Sequence, residues 1–205
     1  QFREYPELFQ SPRFWGYALT CAFSSGAFFA YLGGAPFVGT EVFGLSPAAL
    51  GFFFGAPAVG YFAGNGLSGK LSARVGINKM IFWGCILNAA GLGTALLVFA
   101  AGFQSEWTFF GFMTFVGLGN GMTIPNATAG ALSVRPHLAG TASGLSGAIM
   151  IGGGAALSAL AGALLQPGTG AWPLLWLMFL TGVASIISIL LVLHREKRLA
   201  GLGTL

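Results

Sequence analysis

Long apolar runs separated by short polar stretches dominate the chain. Crossing the hydrocarbon of a bilayer takes about 20 consecutive apolar residues. Six runs meet that length, over residues 14–38, 47–68, 80–102, 107–132, 138–165 and 172–193. They are too long for strands and do not alternate with period two, so helices are predicted throughout. Ser46-Pro47 is an N-cap and first-turn pair for the second run. The stretch 166–170, QPGTG, has turn chemistry between the fifth and sixth.

The charged positions mark the ends of these runs. All nine Lys and Arg fall on one side if the six runs are six crossings. Arg3 and Arg13 precede the first run, and Lys70, Arg74 and Lys79 lie between the second and third. Arg135 follows the fourth, and Arg195, Lys197 and Arg198 follow the sixth. The opposite connections carry only Glu41 and Glu106. The positive-inside rule then predicts both ends in the cytoplasm. The expected organisation is a cytoplasmic lead-in (1–13), a six-helix transmembrane domain (14–193) and a cytoplasmic tail (194–205). Trp15, Trp83, Trp107, Trp172 and Trp176 sit near segment starts, as interfacial aromatic belts do.

Composition agrees with lipid as the solvent. The chain has 205 residues, 55% hydrophobic and 7% charged, with mean hydropathy +0.80. Soluble domains carry about 25% charged residues. The net charge of +4 sits in short loops and ends, which argues against a nucleic-acid partner. Cys21 and Cys85 lie inside apolar runs and read as small buried residues rather than a disulfide or metal pair. The first twelve residues are polar, without a signal-peptide pattern. The chain begins at Gln1 and is expected to be a piece of a longer polypeptide.

An internal repeat is the next signal. A shift of 89 residues aligns Pro36 with Pro125, Pro47 with Pro136, Gly51 with Gly140 and Gly55 with Gly144. It also aligns Gly64 with Gly153 and Trp83 with Trp172. Three crossings separate the copies, so the second is inverted. The predicted fold class is therefore all-α integral membrane, six transmembrane helices as two inverted three-helix repeats. Transporters of that kind place their sites at Gly/Pro-interrupted helices in matching positions. Here those are the first and fourth segments, at Pro36 and Pro125. Pro125 and Asn126 are expected to interrupt the fourth helix, with a kink re-satisfied by neighbours as the alternative.

Candidate site residues follow from helical spacing. In the first segment Tyr17, Cys21, Ser24, Phe28 and Tyr31 share a face. Aromatics mixed with hydroxyls suit a pocket for bulky amphipathic molecules, or packing against a neighbouring helix. Asn120 and Asn126 present amides to a cavity or bond across helices. Asn88 lies in a segment expected on the outside and reads as structural. Rows of small residues (Gly60 and Gly64 in the second segment, Gly140 and Gly144 in the fifth) permit close approach and sliding of helices. Gly144-Leu-Ser-Gly147 fits the G-x-S-G of intramembrane rhomboid proteases. Serine chemistry needs a base within reach, and His137 and His194 lie outside the membrane runs. No cluster of metal ligands and no phosphate loop is present, so no metal or cofactor is expected.

Residues 69–79, GKLSARVGINK, resemble the loop signature of the major facilitator superfamily through Gly69, Leu71, Arg74, Gly76 and Lys79. The acidic position of that signature is Ala73 here. Residues 14–19, 35–38, 41–47, 125–128 and 139–144 look like the second half of bicyclomycin-resistance (Bcr/CflA-type) drug exporters. The resemblance implies the six C-terminal helices of a twelve-helix drug:proton antiporter. It implies as partners the lipid bilayer, a hydrophobic small-molecule substrate and an absent N-terminal half that holds the proton-coupling acid. It assigns Pro36, Gly60, Gly64, Arg74, Gly76, Pro125, Gly140 and Gly144 to gating or interface roles, in a bacterial inner membrane. The other reading open to the sequence is a non-transporting six-helix membrane module that assembles with partners.

Overall fold

The computed structural model describes residues 8–202, with side chains to residue 198; Arg3, Glu4 and Glu7 lie outside them. The described chain is helical. Helix α1 spans Pro12–Phe37 and passes into a π-turn, Val38–Val42. Then come α2 (Pro47–Phe54), α3 (Ala56–Val75), α4 (Ile77–Ala100) and α5 (Glu106–Ser133). A 3₁₀ turn, Pro136–Leu138, leads into α6 (Ala139–Leu164), and α7 spans Trp172–Leu202.

Local chemistry explains the helix starts. Ser11 accepts from the Phe14 amide ahead of Pro12, and Ser46 accepts from the Ala49 amide ahead of Pro47. Ser105 and Thr108 form a reciprocal capping box on α5.

Several expected boundaries change. The second predicted segment is two helices, α2 and α3, because Pro57 lacks the N–H that would continue the ladder and Gly55 takes the corner. The expected 69–79 loop is almost absent. Its residues are helical apart from Gly76, which turns the chain alone at φ 88° and ψ 148°. That region of the map is open only to glycine. Pro36 and Pro125 do not interrupt their helices. Both are exposed. The Asn126 amide also donates to the Met122 carbonyl, one turn back, at 2.7 Å. Residues 194–202, in the expected tail, continue α7 as helix.

Among the described residues five elements are long and apolar enough to cross a membrane: Pro12–Val42, Pro47–Val75, Ile77–Ala100, Pro136–Leu164 and Trp172–Arg198. Helix α5 has the length but is diluted by Asn120, Asn126 and a series of glycines and threonines. Its position accounts for this composition. Helix α5 packs against α1, α3, α4 and α6, so other helices rather than lipid form most of its surroundings. Helix α1 is the second hub and packs against α5, α6 and α7. Helices α4 and α7 also meet.

Glycines let the hubs approach their neighbours. A Cβ on Gly121 of α5 would lie 2.6 Å from the Tyr61 carbonyl oxygen of α3, and one on Gly60 would lie 2.7 Å from the Leu118 backbone nitrogen. Gly119 faces Gly84 and Asn88 of α4, and Gly130 takes the ring of Tyr17 from α1. Small residues are the usual means of bringing membrane helices this close.

Helices α3 and α6 stand apart. Only 17% of the most apolar stretch of the α2–α3 element (Pro47–Val75) and 11% of that of the α6 element (Pro136–Leu164) are buried, against 50% for α4 and 61% for the α1 element. Phe62 is 84% exposed and Ile151 is 55% exposed. Apart from Lys70 and Arg74 near the end of α3 and Ser143 near the start of α6, the exposed surface is mostly apolar on both.

Candidate functional site: a cavity between α1, α3, α5 and α6

The two sparsely buried helices flank a cavity of about 540 Å³ whose floor is α1 and α5. Phe28, Phe29 and Ser25 enter from α1, and Gly117, Asn120 and Ile124 from α5. Met150 comes from α6, and Pro57, Ala58 and Tyr61 from α3. The corner between α2 and α3, Phe54 and Gly55, forms part of the wall. The chain interruption therefore does sit at the cavity, but at Gly55–Pro57 rather than at Pro36 or Pro125. The signal was present in the sequence as glycine and proline two residues apart within an apolar run.

Among the described residues no charged side chain lines the cavity. Its size and apolar wall suit a drug-sized organic molecule. Of the expected binding residues, the structure brings Phe28 and Asn120 to this space and directs four others elsewhere. Ser24 is fully buried behind Asn120 and donates to its Oδ1 at 2.7 Å. Tyr31 is fully buried and donates to the Phe54 carbonyl at 3.0 Å, stacked on the Phe54 ring. It braces the α2–α3 corner. Asn126 donates to Ser68 Oγ at 2.7 Å and so ties α5 to α3.

Tyr17 belongs to a different cluster. Its hydroxyl lies 2.7 Å from Asn78 Oδ1 and 3.1 Å from Glu196 Oε1. Arg13 pairs with the same Glu196 oxygen at 2.7 Å, and Asn78 donates to the other at 2.5 Å. The cluster joins the start of α1, the start of α4 and the far part of α7. A smaller pocket of about 190 Å³, between α1, α5 and α6, lies on the inner side of Tyr17.

Asn88, read from sequence as an outer structural residue, is fully buried at the junction of α1, α4 and α5. Its Nδ2 donates to Asn120 Oδ1 at 3.3 Å and to the Ser24 carbonyl at 3.4 Å. The asparagine of α4 is thus a second-layer support for the asparagine that reaches the cavity.

The expected gating and interface residues divide in two. Gly60 and Gly64 are buried against α5 within this chain, so the close approach they allow is to a helix of the same bundle. A Cβ on Gly140 or Gly144 would meet nothing within 4 Å, and both are exposed on α6. Arg74 and Gly76 are exposed at the α3–α4 turn, and Pro36 and Pro125 are exposed on α1 and α5. Ser146, of the protease-like pattern, donates to the Ala142 carbonyl of its own helix at 2.7 Å. Among the described residues no group of three or more His, Cys, Asp or Glu is placed to hold a metal ion.

No solved structure matches the chain. An uncharacterised MFS-type transporter of Bacillus subtilis (strain 168), YdgK, is 28% identical over 177 residues, which cover 86% of this chain and 43% of that protein. The chain thus spans less than half the length of this relative. The family profile of the Major Facilitator Superfamily matches residues 1–159. The profile covers most of this apolar helical bundle and its organic-sized cavity: the chain belongs to the major facilitator superfamily.

Proposed function

We propose that this chain is the C-terminal half of a twelve-helix exporter of hydrophobic or amphipathic small molecules. The observation that carries the reading is the uncharged aromatic cavity of about 540 Å³ flanked by α3 and α6, whose apolar faces are left largely uncovered. A second set of six helices seated on those faces would enclose the cavity. The resemblance to Bcr/CflA-type exporters supplies the drug-like substrate class, and the 43% coverage of the relative is consistent with half a protein.

The contact pattern supports two inverted three-helix repeats. Helix α1 packs on α6 and α7, and α5 packs on α3 and α4. Exchanging the first three crossings with the last three carries this set of contacts onto itself. The two hubs, α1 and α5, occupy matching places in the repeats, as transporter repeats require.

Basic residues gather at one end of the bundle, where Arg13, Arg135 and Arg195 line one pocket. We take that end as cytoplasmic, in a bacterial inner membrane. Cysteines replacing Lys70 or Arg195 are expected to resist impermeant thiol reagents in whole cells, while one replacing Thr169 reacts. The native Cys21 and Cys85 are buried and contribute little background. Strong outside labelling at Lys70 would reverse the orientation.

Proton coupling is assigned to the other half. Among the described residues the carboxylates are Glu41 in the π-turn, Glu106 at the first turn of α5 and Glu196 paired with Arg13. None lines the cavity, whereas a proton carrier needs an ionisable group inside the membrane path. The whole reading is tested by expressing the full gene in cells lacking their own exporters. Accumulation of hydrophobic dyes is expected to fall several-fold and to recover on adding a protonophore. Unchanged accumulation across a broad dye panel would contradict export.

A further inference from the structure

We infer that the cavity selects molecules bearing a hydrogen-bond acceptor, through an Asn120 amide whose orientation is imposed by Ser24 and Asn88. This rests on the cavity being the substrate site. The polarity of the chain of hydrogen bonds is fixed at its deep end. The Ser24 backbone carbonyl can only accept, so the end of Asn88 that faces it, at 3.4 Å, is the amide nitrogen. That nitrogen also faces Asn120, at 3.3 Å, so the Asn120 atom there is the oxygen. The Ser24 hydroxyl donates to the same oxygen at 2.7 Å. Asn120 therefore turns its NH₂ away from the cluster.

That NH₂ has no partner among the described residues and is not sealed from the cavity that Asn120 lines. The arrangement leaves Asn88 Oδ1 buried without a partner. An orphaned buried acceptor is costly, and rotating the Asn88 amide would bring oxygen against the Ser24 carbonyl instead. The defect is thus tied to holding Asn120 in one orientation. Other polar groups on the cavity wall are not held this way. The Ser25 hydroxyl bonds back to carbonyls of its own helix, and Tyr61 stands at the rim, 42% exposed. A ligand here meets an apolar, aromatic wall and one pre-oriented donor. The matching chemistry is an aromatic molecule with a carbonyl or ether oxygen. Asn120 would be the contacting residue, and Ser24 and Asn88 positioning residues.

The test uses benzophenone and diphenylmethane, which have similar shape and differ by the carbonyl oxygen. Full-length protein in nanodiscs is photolabelled with benzophenone, and adducts on the segments holding Phe28 and Ala58 are quantified by mass spectrometry. Diphenylmethane affinity is read by competition. The ratio of the two affinities is expected to fall about fivefold in Asn120→Leu, the equivalent of one net hydrogen bond. It should fall by a smaller factor in Ser24→Ala, recover in Ser24→Thr, and hold in Tyr61→Phe. A diphenylmethane affinity unchanged from wild type shows that the cavity is intact in each variant. A ratio unchanged in both Asn120→Leu and Ser24→Ala, or lost in Tyr61→Phe instead, overturns the inference while the cavity assignment stands. Absence of adducts on the cavity segments in the wild type removes the cavity assignment, and this inference with it.

Discussion

Replacing Gly60 with leucine is expected to prevent the six helices from assembling, whereas Gly144→Leu leaves them folded. Both glycines belong to rows of small residues on apolar helices, yet their surroundings are opposite. A Cβ at Gly60 would enter the space of the Thr114 carbonyl oxygen and lie 2.7 Å from the Leu118 nitrogen. These are backbone atoms of α5 and cannot rotate aside, so α3 must move away bodily. Even Gly60→Ala should cost about 1–3 kcal/mol, the range for overpacking, or a Tm lower by roughly 2–12 °C for a chain of this size. The larger leucine should leave little folded protein. At Gly144 a Cβ meets nothing within 4 Å. Thermal unfolding followed by size-exclusion chromatography in detergent separates the two cases. Similar losses for Gly60→Leu and Gly144→Leu would mean that α3 and α5 are not packed at this distance. In the full-length protein Gly144→Leu is expected to impair transport, because the open side of α6 is where the other half is proposed to sit.

Filling the cavity should stop transport without unfolding the protein. Ala58 lines the cavity and is exposed to it, so tryptophan at that position takes up space without entering the packed core. Efflux by full-length Ala58→Trp is expected to fall at least about tenfold, equivalent to about 1.4 kcal/mol or more of lost productive binding. Its Tm should stay within a few degrees of wild type. The control is Leu97→Trp, on α4 away from the cavity, where a 71% exposed side chain already faces outward. Efflux retained by Ala58→Trp would place the substrate path elsewhere in the molecule.

The helices themselves were legible in the sequence because burial in lipid demands long apolar runs, and run length is a one-dimensional property. Breaks and bends were less so. Pro125 was expected to interrupt a helix and does not, because it faces outward and loses only one bond in an otherwise intact ladder. Pro57 does end one, with Gly55 available to turn the corner. The loop expected at 69–79 is helical up to Val75 because Lys70, Leu71, Ala73 and Arg74 are good helix formers. Arg74 also suits the negative end of the helix dipole.

The site was only partly legible for a geometrical reason. Shared spacing placed Tyr17, Ser24, Phe28 and Tyr31 on one face of α1. That helix touches three others, so one face meets several environments along its length. Phe28 opens on the cavity, Ser24 lies behind Asn120, and Tyr17 reaches Glu196. Asn88 reads from sequence only as structural, because its support of the cavity depends on Ser24 and Asn120, which lie 64 and 32 residues away in the chain.

The central claim, that this cavity is a substrate passage, is tested most directly by thiol access at Ala58. In full-length Ala58→Cys, a membrane-permeant maleimide is expected to react, to slow several-fold when an exported drug is present at saturation, and to abolish efflux once coupled. A reaction rate indifferent to the drug, with efflux surviving modification, would contradict it.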